Sequence, residues 1–269
     1  MLLSQITDFL EKKIAPKHFA FKNDIYGIQF GPKFEDRNIK KIMLTLDPSL
    51  DAIIEGVKQK VSLIISHHGL IHTPTKYFHE NLIKKFYLLS SAHIILFVIN
   101  IAFEVAQNGI LEIIANRLSL KIENLFELQD KSGKKIPLGR ICTPKKFFNN
   151  TKPFLLEDLI NRIKKNLNLR YIKYIGKIND EISKICIIEK VSKNSLLNAL
   201  KLNCDCMLTR DIQYETALIA RDLNLDLIIT PHFNSEIIGM KELYKILSIE
   251  FPRESFIFFD SNDPFSYAI

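Results

Sequence analysis

The chain has 269 residues, 47% hydrophobic and 25% charged, which excludes a wholly disordered chain and supplies enough apolar material for one large or two medium packed domains. Its 37 Lys and Arg exceed its 30 Asp and Glu, giving a formal net charge of +7; the basic residues are spread along the chain without interleaved aromatics, so they read as a solvated lysine-rich surface. Four cysteines, Cys142, Cys186, Cys204 and Cys206, make no disulfide framework at this length, and Cys204-Asp205-Cys206 lacks zinc-ribbon spacing, so they read as packing thiols in a reducing cytosol.

The first residues place apolar side chains at helical spacing, with Asp8 and Glu11 among them and no early basic region. That predicts an amphipathic helix ended before Pro16, not a signal peptide. A short strand over 26–30 closes at Gly31-Pro32, and 40–46 is a strand ending at Asp47-Pro48-Ser49. Asp47 is expected to cap the next helix, 50–59, with Pro48 at its first position. The β-branched run 61–65 is a buried strand that ends at Ser66-His67-His68-Gly69. Side chains of adjacent strand residues point to opposite faces, so both imidazoles serve one site only if the backbone turns there, and Gly69 permits the turn.

A helix over 77–90 leads to a strand over 94–99, then Asn100 and Glu104, then a helix over 109–118. The longest apolar run, 93–106, is too short for a membrane span and contains Asn100 and Glu104, so a soluble, cytoplasmic protein with no membrane partner is expected. A softer region, 123–151, is rich in Lys, Gly and Pro. Beyond it come a helix (151–167), strands (171–175 and 182–188), a helix (193–202), a strand (206–209), a helix (212–222), a buried strand (225–230) ending at Pro231-His232, a helix (236–247) and a last strand (255–259). Strands alternating with helices predict two α/β domains with mixed sheets. The expected division is 1–128, carrying the His-His motif, and 129–269, whose last part from about 225 returns to complete a metal site in the cleft at the strand carboxyl ends.

Asp47, His67 and His68, Asn100 and Glu104, and His232 and Glu236 each stand at or just after such a strand end. Three imidazoles and two carboxylates there can hold cations, with a carboxylate bridging and water completing the coordination; zinc, iron and manganese suit such donors. His18, His79 and His93 carry no spacing argument and read as surface or satisfied core residues. His72 lies nearer the pair and is only in second place a ligand or substrate contact. His232-Phe233-Asn234-Ser235-Glu236 by itself also fits a helix start capped by Asn234 or Ser235.

Ser-His-His-Gly-Leu-Ile at 66–71 and Pro-His-Phe-Asn-Ser-Glu at 231–236 resemble the two signature segments of the YbgI-like dinuclear metal-centre family, whose members are labelled GTP cyclohydrolase 1 type 2 homologs or NIF-three-like proteins. Tyr26 to Gly31, Leu46 to Ser49, Leu138-Gly139-Arg140 and Thr209 to Glu215 extend the resemblance over nearly the whole chain. It implies two divalent metal ions per subunit, zinc, iron or manganese, held by His67, His68, Glu104, His232 and Glu236. Glu104 stands where the family has Asp, and Asn100, Glu215 and Arg210 replace a family His, His and Gly. The resemblance further implies a toroidal homohexamer, a trimer of dimers, and a metal-dependent hydrolase acting on a nucleotide-like or other small anionic substrate; if that is GTP, its imidazole ring opens at C8. The alternatives are a non-enzymatic, ring-shaped scaffold or adaptor for protein or nucleic acid, and a metal store.

Overall fold

The structure, a computed structural model, describes residues 1–20, 24–32, 37–129, 135–145 and 152–266. In chain order it has α1 (Leu3–Phe9), continued as a π-helical turn over Leu10–Ile14, β1 (Gly27–Phe30), β2 (Lys41–Thr45), α2 (Leu50–Lys58), β3 (Leu63–Ser66), α3 (Glu80–Ser91), β4 (Ile95–Val98) and α4 (Asn100–Val105). Then come α5 (Ile110–Arg117), β5 (Leu120–Gln129), β6 (Lys135–Pro144), α6 (Leu156–Asn166), β7 (Lys173–Ile175), β8 (Ile185–Ile188), β9 (Lys190–Val191) and α7 (Lys193–Lys201). The chain ends with β10 (Cys206–Thr209), β11 (Asp211–Ile212), α8 (Tyr214–Asp222), β12 (Asp226–Ile229), α9 (His232–Glu250) and β13 (Ser255–Phe259). It packs as two compact units, Met1–Gly109 with Glu236–Ile269, and Ile110–Ser235. From sequence the division is expected at 128/129; these units instead part at 109/110 and 235/236.

The first unit is built on a five-stranded sheet in the order β1-β4-β3-β2-β13, parallel except for β1. Of its inner strands, β3 and β4 are apolar but for Ser66 and bury every residue, as a parallel sheet covered on both faces requires. Thr45 pairs with Ser66, and Ser66 with Val98. The residues that follow β2, β3 and β4 therefore emerge side by side at one edge. At the start of α2, Ser49 rather than Asp47 is the cap: its hydroxyl accepts the Ala52 N–H at 3.1 Å, which leaves the Asp47 carboxylate available elsewhere.

The second unit holds a six-stranded mixed sheet, β5-β6-β8-β10-β12-β7, with β8, β10 and β12 parallel and the others antiparallel, beside a two-stranded β9–β11 pair. The region expected to be soft contains the hairpin β5–β6, each strand ten residues long; its polar composition faces water on one side while Phe126, Ile141 and Cys142 are buried. The helix expected from 151 begins at Leu156, and residue 151 lies outside the described residues. Ile212 belongs to β11, so the helix expected from it begins at Tyr214. All four cysteines are free and buried, in keeping with packing thiols. Among the described residues, no helix is long and apolar enough to cross a membrane.

One buried acid opposes the second unit's stability. Asp226 opens β12 at 7% exposure, and burial, then Asp180 and Asp205, push its carboxyl up to about 6. The fold thus favours the protonated form. That stability is complete below the usual carboxylate range and is lost as pH rises through about 6. Asp226→Asn is expected to stabilise the protein at pH 7 by about 1–3 kcal/mol, at about 1.4 kcal/mol per pKa unit, and to match wild type at pH 4. Urea titrations at the two pH values check this; an equal gain at both would refute the linkage.

Candidate metal centre

The tandem histidines leave β3 where the ladder to its neighbours still runs. His68 N–H donates to Leu46 O at 3.0 Å, and Asn100 N–H donates to His67 O at 3.0 Å. The Ser66 hydroxyl donates to His68 O at 2.6 Å and ties off the turn. Both imidazoles consequently address one carboxylate. His67 Nε2 lies 3.5 Å from Glu236 Oε1, and His68 Nε2 lies 3.3 Å from Glu236 Oε2. Glu104, on α4, brings Oε2 to 3.9 Å from His67 Nε2. One donor atom from each of His67, His68 and Glu236 falls within 4.8 Å of the others.

Gly69 serves this corner through space rather than through a left-handed backbone. A Cβ there would meet Ile25 Cγ2 at 2.7 Å and the Gln29 amide at 3.1 Å. Gln29 clamps the loop: it accepts the Leu70 N–H and donates to Ile71 O at 2.9 Å. Asn100 opens α4 with φ of 31° and donates its side-chain amide to Asp24.

Glu104 and Glu236 are each 1% exposed and His67 is 2% exposed. Two carboxylates in such a place draw positive charge toward them. Burial alone would push the His68 imidazole down. Its contacts with Asp47, whose Oδ1 is 2.8 Å from Nδ1, and with Glu236 outweigh that and hold it up to about 10. A divalent cation satisfies the same demand, and two imidazoles with buried carboxylates are the donor set that zinc, iron and manganese accept. The residues present fit such an ion. Asp47, against the other nitrogen of His68, fits the outer carboxylate that fixes a ligating imidazole's tautomer.

Of the expected residues, the fold brings together His67, His68, Glu104 and Glu236. His232 opens α9 one turn before Glu236 and is exposed. Because α9 starts there, neither Asn234 nor Ser235 is its cap; the Ser235 hydroxyl donates back to Pro231 O and His232 O. His79 does cap α3, accepting the Leu82 N–H at 3.3 Å, and His18 and His93 are exposed. Sequence reasoning placed Asp47 with the other strand-end residues but also made it the cap of α2, and passed over Gln29, Asp24 and Lys85. Of these only Lys85 left a signal: a lysine in the Leu82–Leu89 apolar stripe. A separate cleft of about 1580 Å³ in the second unit, between Phe154, Arg162, Lys121 and Lys145, contains none of these residues.

The family described as Duf34/NIF3 (NGG1p interacting factor 3) matches residues 1–264. A Methanocaldococcus jannaschii protein named GTP cyclohydrolase 1 type 2 homolog is 27% identical over 249 residues, covering 92% of this chain and 95% of its own. The solved structure of reduced HcgD from the same organism aligns with a TM-score of 0.78 at 26% identity, over 96% of this chain and 97% of that one. The Staphylococcus aureus protein SA1388 shares the fold with a TM-score of 0.83 at 22% identity, over 100% and 99% of the two chains.

Proposed function

We propose, from the premise that this chain belongs to the Duf34/NIF3 family, that it is a dinuclear metal-dependent hydrolase acting on a nucleotide-like substrate. The observation that carries the reading is the convergence of His67, His68 and Glu236 within 4.8 Å, with Glu104 against His67. In this reading His67, His68, Glu104 and Glu236 would hold two ions. When bound, the ions supply Lewis acidity and an activated water at neutral pH.

The chain's own groups do the rest. The Glu236 carboxylate stands between both imidazoles and would be shared by whatever they hold. Asp47 orients His68 through Nδ1. Glu104 or Glu236 takes the proton released when water attacks, a task suited to a carboxylate in a dry pocket. With GTP, one water adds at C8 and one C8–N ring bond breaks, leaving a formylated amine. The name carried by the relatives supports that choice of substrate. Family membership likewise supports a homohexamer, a trimer of dimers, working in the cytoplasm.

Metal analysis and native mass on one preparation test this. Two equivalents of zinc, iron or manganese per 31.1-kDa subunit are expected, in a particle of six subunits, about 187 kDa. Chelation should stop turnover. Turnover that persists without metal would reject the mechanism. Strongly salt-dependent nucleic-acid binding with no nucleotide turned over would replace it with a scaffold.

A further inference from the structure

Helix α4 is six residues long, and its first residue, Asn100, has a φ of 31°. Side chains enter that left-handed region at a cost, asparagine at less than most. So short a helix does not hold itself, and the residue before it, Ile99, lends no side-chain cap. Its start is held by other contacts. The Ile99 N–H donates to Ser66 O at 3.0 Å, and the Asn100 N–H donates to His67 O at 3.0 Å. Both bonds continue the β3–β4 ladder. The last contact comes from outside it: the Asn100 side-chain amide donates to the Asp24 carboxylate, on the segment that leads into β1.

Glu104 follows Asn100 by four residues and so lies on the same face of α4, one turn on. There it brings Oε2 to 3.9 Å from His67 Nε2. The start of α4 is thus tied to the His67 main chain, and the next turn carries a carboxylate to the His67 ring. Relaxing Asn100 to an ordinary helical φ, near −63°, would turn the backbone just before Glu104 by roughly a right angle. Metal–ligand distances tolerate only about 0.2 Å. A contact that fixes Asn100 therefore fixes how far Glu104 reaches.

We propose that the Asp24–Asn100 contact sets the reach of Glu104 and thereby governs how tightly an ion shared by Glu104 and His67 is held. Asp24 and Asn100 are positioning residues that act through Glu104. The role of Glu104 as a ligand rests on the metal reading above; the hold of Asp24 on α4 does not.

Amide exchange on chelated protein reads the hold, and competition against a chromophoric chelator reads the ion. Asp24→Ala is expected to speed exchange at the Asn100 and Phe103 amides about tenfold, the loss of one charge-assisted bond. It should weaken metal binding about 10–100-fold, the usual cost of losing an outer partner, and alter the visible spectrum of the Co(II)-loaded protein. Asp24→Asn keeps an acceptor for the Asn100 amide and drops the charge, so it should stay near wild type in all three readouts. A loss as large as that of Asp24→Ala would mean that the carboxylate acts by its charge, and would overturn the proposal. Asn100→Gly takes the same φ without steric cost and lacks the amide, so it should fold and match Asp24→Ala. The double variant should be no worse than either single one, because each removes the same contact. Additive losses, or wild-type metal affinity in both single variants, would also overturn the proposal. Wild-type protein that takes up no metal would end the metal reading and this role for Glu104 together. Unchanged α4 exchange in Asp24→Ala, with metal bound by wild type, would end the role alone.

Discussion

Glu236→Ala is expected to strip the ions from the protein and abolish turnover while leaving the chain folded. The Glu236 carboxylate reaches both tandem imidazoles, at 3.5 Å and 3.3 Å, so its loss affects both histidines at once. Losing an outer carboxylate such as that of Asp47 costs a metal site about 10–100-fold in affinity. Loss of a direct ligand should exceed that, more than about 100-fold. The predicted order is therefore Asp47→Asn milder, then His67→Ala and Glu236→Ala severe. Competition against a chromophoric chelator gives the affinities, and metal analysis after dialysis gives the stoichiometry. Glu236→Gln, with nearly the same volume, separates a lost ligand from lost packing: it should keep the wild-type apo Tm and still release metal. Full metal occupancy in Glu236→Ala would show that the carboxylate is no ligand.

Much of this corner was legible in the sequence because its physics is local. The apolar run before Ser66 specifies a buried strand, a parallel sheet puts successive strand ends at one edge, and two histidines at such an end are costly unless used. Glu104 and Glu236 followed by the same reasoning. The expected cap at Asp47 failed because two nearby residues could fill that role. Only tertiary contact with His68, twenty-one positions away, decided that Ser49 would do it. Gln29 reaches its loop over a still larger separation, and no pattern in its own segment announces that. The second unit was less legible. Its hairpin, β5–β6, is rich in Lys, Gly and Pro, which individually favour loops. What makes it sheet is non-local pairing, Ile141 with Cys186 and Arg140 with Ile187, and strand propensity is read poorly where such packing decides it.

The same hairpin holds one half of the ion pair whose breaking should cost the fold most. Arg140 is 1% exposed in the middle of β6. Its Nε donates to Glu112 Oε1 on α5 at 2.8 Å, and its Nη1 donates to Gly139 O at 3.0 Å. Gly139 is itself required: a Cβ there would stand 2.5 Å from Ile187 O on β8. A guanidinium cannot shed its proton to escape burial, so removing the Glu112 carboxylate that faces it is expected to destabilise the second unit by about 3–5 kcal/mol. Arg140→Met should cost less, because Glu112, its side chain 14% exposed, can turn toward water. Arg140→Met combined with Glu112→Leu should recover most of the loss, since an apolar pair of similar volume often replaces a buried ion pair without penalty. Arg140→Lys should not rescue, lacking the planar fork that serves Glu112 and a carbonyl together. Urea unfolding of these variants, with Glu112→Leu alone added to close the cycle, yields the coupling. Additive costs in the double variant, or a Glu112→Ala protein within about 1 kcal/mol of wild type, would mean that the pair is not what holds β6 to α5.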